Sequence, residues 1–71
     1  MKNISKSDYL KSQAEKVNKL FLLGKFDVVI EKSKKIIEKN PKQVPFYNFL
    51  ALSNREKGNF LLAEKILLNA L

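Results

Sequence analysis

The chain has 71 residues, no cysteine, no histidine and a net charge of +7. Its length allows one small domain. The lack of cysteine excludes disulfides and thiolate metal sites, and the lack of histidine removes the commonest general base and zinc ligand. A hydrophobic content of 45% is typical of a folded domain. Because no long apolar run or secretory signal occurs, we expect a cytoplasmic protein without membrane contact.

The positive charge is concentrated in the first half of the chain. Residues 1–43 contain eleven Lys and five acidic residues, whereas residues 44–71 contain three basic and two acidic residues. Thirteen of the fourteen basic residues are Lys, although arginine is the side chain best suited to bidentate recognition of phosphates and base edges. We therefore interpret the charge as solvated surface, with a basic RNA-binding module left open as an alternative.

Apolar residues spaced three or four apart predict a first helix, and Ser5 and Asp8 have the spacing of a capping box at its start. Gly24 is suited to the left-handed conformation that ends this helix. A second helix is predicted from about Phe26 to the residues before Pro41, which cannot continue it. The predicted inward-facing residues of these helices are Leu10, Ala14, Val17, Leu20, Phe21, Val29, Ile30, Ser33, Ile36 and Ile37.

Two further helices are predicted in the second half. Pro45 can begin the third helix, because its missing N–H is not needed in a first turn, and Gly58 ends it. The fourth helix is predicted from about Phe60 to the end of the chain. The residues expected to face inward are Phe46, Tyr47, Leu50, Ala51, Asn54, Ala63, Ile66, Leu67, Ala70 and Leu71. Short connections favour antiparallel neighbours and no segment alternates with period two, so the predicted fold is all-α.

The two halves of the chain repeat each other with a period of 34 residues, which separates Gly24 from Gly58 and Phe26 from Phe60. A helix–turn–helix repeat of this period resembles the tetratricopeptide family. The second half carries the family pattern at Tyr47, Leu50, Ala51, Gly58, Phe60, Ala63, Leu67 and Ala70. The first half matches at Gly24, Phe26, Val29, Ile36 and Pro41. Its leading helix departs from the pattern, with Gln13 and Lys16 where the family has large apolar residues.

The resemblance implies antiparallel helix–turn–helix repeats stacked as a short right-handed α-solenoid of about four helices. Residues 1–9 would form an N-terminal lead-in and the start of the first helix. Residues 10–43 would form the first repeat, and residues 44–71 would form an incomplete second repeat without a capping helix. Ala51 and Ala63 would let paired helices approach closely, while Tyr47 and Phe60 fill the space between them.

The resemblance also implies a protein–protein interaction module whose first helices line a concave groove for a peptide or helix of a partner. The candidate groove residues are Lys11, Ala14, Asn18, Phe21, Leu22, Asn48, Leu52, Arg55 and Glu56. We expect the N-terminal part of a larger protein, with the recruiting domain of a bacterial transferase and a self-associating scaffold as alternatives. Leu61, Leu62, Leu68 and Leu71 would form the surface for the next repeat or for a homodimer through the last helix.

No arrangement of side chains in the sequence predicts catalysis. Glu31 and Glu38 lie two turns apart among lysines, as on a solvated helix face. The serines have no nearby base, and the glycines occur singly rather than in a phosphate-binding loop. We therefore expect no enzymatic activity, no cofactor and no metal site within these residues.

Asn18, Phe21 and Gly24 follow a pattern similar to that of family members that bind the carboxylate of acidic chaperone tails. Those members have Lys four residues before the Asn, where this chain has Ala14, and Phe49 takes the place of their second Asn. We predict that a peptide ending in such a tail binds with a Kd no better than millimolar, as measured by fluorescence anisotropy. Micromolar binding that is lost in Asn18→Ala would contradict this prediction.

Overall fold

The computed structural model describes residues 5–70, which form four α-helices and, within that range, no β-strand. The helices are α1 (Lys6–Leu22), α2 (Phe26–Lys39), α3 (Val44–Glu56) and α4 (Phe60–Ala70). The predicted all-α fold with four helices is therefore confirmed. Leu71, which the sequence assigned to the inward-facing set and to the surface of the last helix, lies outside the described residues.

The predicted starts of α1 and α3 are confirmed by their first turns. Ser5 precedes α1, and its Oγ accepts a hydrogen bond of 3.1 Å from the backbone N–H of Asp8. This bond satisfies one of the amides that have no partner within the helix. Pro45 lies in the first turn of α3, where no backbone donor is required of it.

The turn after α1 is built on a glycine in the left-handed region. Gly24 has a φ of 77°. Its amide donates to the carbonyl of Phe21 at 3.0 Å, and the amide of Lys25 donates to the carbonyl of Leu20 at 2.9 Å. This pair of bonds is a Schellman motif, which satisfies the last carbonyls of the helix.

The turn after α3 has the same structure. Gly58 has a φ of 88°, and its amide donates to the carbonyl of Arg55 at 2.9 Å. The amide of Asn59 donates to the carbonyl of Asn54 at 2.8 Å. The repeat of 34 residues between Gly24 and Gly58 in the sequence is therefore also a repeat of backbone conformation.

The main hydrophobic core lies between α1, α2 and α3. Its buried members are Leu10, Val17, Val29, Ile36 and Phe46, and Ala14, Leu20, Phe21, Ile37 and Phe49 pack against them. Helix α3 contacts each of the other helices, whereas α4 packs on α3 alone among the described helices. The Cα atoms extend 44 × 27 × 13 Å along the principal axes, so the assembly of helices is a flat slab with α3 at its centre.

The contact between α3 and α4 agrees only in part with the sequence prediction. Ala51 and Ala63 are buried, as predicted for close helix packing. Tyr47 is half-buried and its hydroxyl donates to the carbonyl of Pro41 at 2.7 Å. The prediction for Phe60 and Leu67 is wrong, because their side chains are 64% and 41% exposed. Since α4 has a neighbour on one side only, these two positions have nothing to pack against.

Alanine in place of Gly24 or Gly58 should lower the free energy of unfolding by about 1 kcal/mol at either site. No heavy atom lies within 4 Å of the place that a Cβ would take, so the cost comes from the positive φ alone. Asparagine, which tolerates this conformation better, should cost less. Urea unfolding would measure all four variants, and an alanine variant as stable as the wild type would contradict the prediction.

Two buried serines lie in α2 and α3. Ser33 and Ser53 have no solvent exposure, and neither hydroxyl has a hydrogen-bond partner. Ser33 was predicted to face inward, and this is confirmed. A buried hydroxyl without a partner lowers stability by about 1–3 kcal/mol.

Ser53→Ala should therefore raise the free energy of unfolding, because it removes an unpaired buried hydroxyl without leaving a large cavity. Alanine is also a better helix former than serine, so Ser12→Ala, on the exposed surface of α1, controls for helix propensity. We expect the gain in the free energy of unfolding, measured by urea unfolding, to be about 1 kcal/mol larger for Ser53→Ala than for Ser12→Ala. Equal gains in the two variants would show that the Ser53 hydroxyl costs nothing in the folded state.

Candidate binding groove

The candidate groove residues of α1 form one exposed stripe. Lys11, Asn18 and Leu22 are exposed, and their spacing of seven and four residues puts them on the same side of the helix. Phe21, predicted to belong to the groove, is half-buried and packs edge-to-face on Phe26, with ring centroids 5.4 Å apart. Its ring is therefore held toward the core, and the accessible stripe consists mainly of the other three side chains.

The candidate groove residues of α3 also lie on one side of their helix. Asn48, Leu52, Arg55 and Glu56 are exposed, with the spacing of a single face. The buried residues of α3 occupy the remainder of its circumference; they are Phe46, Leu50, Ala51, Ser53 and Asn54. Leu52 is the apolar member of the exposed face.

A cavity of about 380 Å³ lies where the N-terminal parts of α1 and α3 come together. It is lined by Lys6, Ser7, Leu10, Lys11, Ala14, Gln43, Pro45 and Phe46. Of the groove residues predicted from sequence, only Lys11 and Ala14 line it. The remaining lining residues were missed, because the cavity forms where two helices distant in sequence lie side by side, and no local pattern marks that juxtaposition.

The cavity has an apolar part and two positive charges. Leu10, Ala14 and Phe46 supply the apolar surface, and Lys6 and Lys11 supply the charges, with no acidic side chain among the lining residues. The ion pairs found within residues 5–70 join Lys35 to Glu31 at 3.6 Å and Lys57 to Asp27, so neither cavity lysine is paired. The cavity is thus suited to an apolar side chain next to a negatively charged one.

The leucines predicted to form the surface of the last helix are exposed where they are described. Leu61, Leu62 and Leu68 expose 85%, 47% and 64% of their surface. They lie on α4, whereas the groove residues lie on α1 and α3. The described part of the chain therefore presents two distinct candidate surfaces.

Within residues 5–70, no group of three or more acidic residues could hold a metal ion. None of the helices there combines the length and apolar character required to cross a bilayer. Comparisons of the chain with protein-family models, with curated proteins and with solved structures find no match.

Proposed function

We propose that the chain is a protein–protein interaction module of two tetratricopeptide-like repeats, stacked as a short right-handed α-solenoid. The groove between α1 and α3 binds an extended peptide or a helix of a partner protein. The observation that carries this proposal is the cavity between the two helices, which lies beside the exposed stripe of α1. No catalytic group is needed for such a role, since binding is the whole function of the groove.

The repeat assignment is supported by what the two halves share. Both first helices end in a Schellman turn on a glycine of positive φ. Equivalent positions in the two halves are buried, namely Val17 and Ala51 in the first helices and Val29 and Ala63 in the second helices. Helix α3 packs against both helices of the first pair, as expected when one repeat stacks on the previous one.

The chemistry of the cavity defines the kind of ligand. An apolar side chain of the ligand would be buried against Leu10, Ala14 and Phe46, and an adjacent Asp or Glu would lie near Lys6 and Lys11. Because Leu10 and Phe46 are only 7% and 1% exposed, the apolar contact is small and contributes about 1 kcal/mol. The lysines mainly favour acidic sequences and speed association.

The test is a selection of random peptides displayed on phage, with the full chain as bait, followed by fluorescence anisotropy on the peptides recovered. We expect the recovered peptides to share an apolar residue beside an acidic one. They should bind the Lys11→Glu variant about tenfold more weakly than the wild type, a loss of about 1.4 kcal/mol in binding free energy. Lys32→Glu, on the exposed surface of α2, makes the same change in net charge and should leave the affinity unchanged. An equal loss in the two variants would mean that only overall charge attracts the peptides.

A further inference from the structure

Large apolar side chains are exposed together in the turns that follow α1 and α3 and in the first turns of α2 and α4. They belong to Leu22, Leu23, Val28, Phe60, Leu61 and Leu62. Leu61, Leu22 and Leu23 expose 85%, 74% and 71% of their surface, more than any other large apolar side chain of residues 5–70. Single exposed apolar residues are ordinary on a protein surface, but a group of them indicates a binding surface.

An ion pair brings the two turns together. Lys57, in the turn after α3, pairs with Asp27, in the first turn of α2. The cavity between α1 and α3 lies at the other end of these helices, where their N-terminal parts meet. The exposed apolar side chains are therefore collected at the end of the molecule that is away from the cavity. We call residues 19–28 and 55–62 the turn end.

Cations lie beside the apolar side chains of the turn end. Its basic residues are Lys19, Lys25, Arg55 and Lys57, and its acidic residues are Asp27 and Glu56. Of the four basic residues, only Lys57 forms an ion pair within residues 5–70. Lys19 and Lys25 are exposed, so the turn end presents unpaired positive charge next to its leucines.

The opposite end of the helices does not combine these features. The turn between α2 and α3 consists of Asn40, Pro41, Lys42 and Gln43, none of which is a large apolar residue. Tyr9 and Val44 are the exposed large apolar residues near this turn, and each exposes less than half of its surface. The two ends of the molecule therefore differ in the surface that they offer to a partner.

The turns of the turn end project from the helices and do not form the walls of a groove. No heavy atom lies within 4 Å of the place that a Cβ would take on Gly24 or Gly58. The depression at this end is lined by residues 58–62 alone, so no second element encloses a side chain of a folded partner. Projecting apolar side chains are instead suited to entering a soft surface such as the headgroup region of a bilayer.

A second copy of the chain is poorly suited to cover the turn end. In a two-fold contact the same surface meets itself, so Lys19 and Lys25 of one copy would approach those of the other. Like charges that are brought together disfavour an interface. An anionic bilayer offers the opposite charge to the lysines and an apolar interior to the leucines.

We propose that the turn end binds the surface of an anionic lipid bilayer. Its apolar side chains enter the boundary between headgroups and acyl chains, and Lys19 and Lys25 contact the negatively charged headgroups. The expectation of no membrane contact came from the absence of a long apolar run, which bears on a helix that crosses the bilayer. Binding at the surface requires only an apolar group flanked by cations. The cavity between α1 and α3 lies at the other end, so this proposal does not depend on the groove being occupied.

Flotation of the full chain with phosphatidylcholine vesicles, prepared with and without phosphatidylserine, tests the proposal. We expect binding to the vesicles that contain phosphatidylserine, and weaker binding at higher ionic strength, because salt screens the lysine charges. Leu61→Ser should weaken binding about tenfold, since it removes apolar area from the contact with the bilayer. Leu68→Ser is the matched control: Leu68 is 64% exposed and lies on the same side of α4 but outside the turn end, so the affinity should not change.

Lys25→Glu and Lys42→Glu test the contribution of charge. The two variants have the same net charge, but Lys25 lies at the turn end and Lys42 in the turn at the opposite end. We expect about tenfold weaker binding for Lys25→Glu. Lys42→Glu should have a much smaller effect, because attraction to the bilayer falls off within a Debye length.

A tryptophan reporter shows which part of the chain enters the bilayer. The chain contains no tryptophan, so Leu23→Trp and Leu68→Trp each introduce a single fluorophore. With vesicles that contain phosphatidylserine, the emission of Leu23→Trp should shift to shorter wavelength, and that of Leu68→Trp should not. An absence of binding to these vesicles, or equal losses for Leu61→Ser and Leu68→Ser, would overturn the proposal. So would a dimer in sedimentation equilibrium that Leu61→Ser abolishes, because a second copy would then cover the turn end.

Discussion

The packing of Phe46 against α1 and α2 joins the two halves of the molecule. Among the buried residues of the main core, Phe46 is the one that α3 contributes; the other four belong to α1 and α2. Full burial of such a side chain contributes about 1.5–3 kcal/mol, whereas a core of this size supplies about 3–5 kcal/mol in total. Because α3 is the only described helix on which α4 packs, the position of α4 also depends on this contact. The same ring lines the groove cavity, so the stability of the fold and the shape of the candidate site depend on one side chain.

The sequence predicts well the features that are determined locally. Helix periodicity, the cap at Ser5, the left-handed turn at Gly24 and the helix end at Gly58 each depend on a few consecutive residues, and all are confirmed. Burial depends on which element lies alongside, and there the prediction fails for Phe60 and Leu67. Residue type alone made both apolar positions look like core, but an apolar residue is buried only where a second surface covers it.

The candidate groove residues also show the difference between features that depend on local sequence and features that depend on how the helices pack. The stripes on α1 and α3 follow from helical spacing, and the groove residues predicted on them are exposed apart from Ala14 and Phe21. The cavity at the N-terminal ends of α1 and α3 cannot be predicted from helical spacing, because Lys6 and Pro45 both line it only once the two helices have packed together. Its charge could not be foreseen either. Lysines are spread over the whole first half of the chain, and the fold decides which of them border an apolar depression.

The two surfaces are coupled through α3 even though they do not overlap. Helix α3 forms one side of the cavity that it shares with α1, and it is the helix on which α4 packs. A ligand that binds only the folded state stabilises it by mass action, and in a domain with so small a core this increases the fraction of molecules in which α3 is docked. A ligand bound to the exposed leucines of α4, Leu61, Leu62 and Leu68, would therefore also favour the docked position of α3 beside α1. The reverse must also hold, because coupling between two binding equilibria is reciprocal.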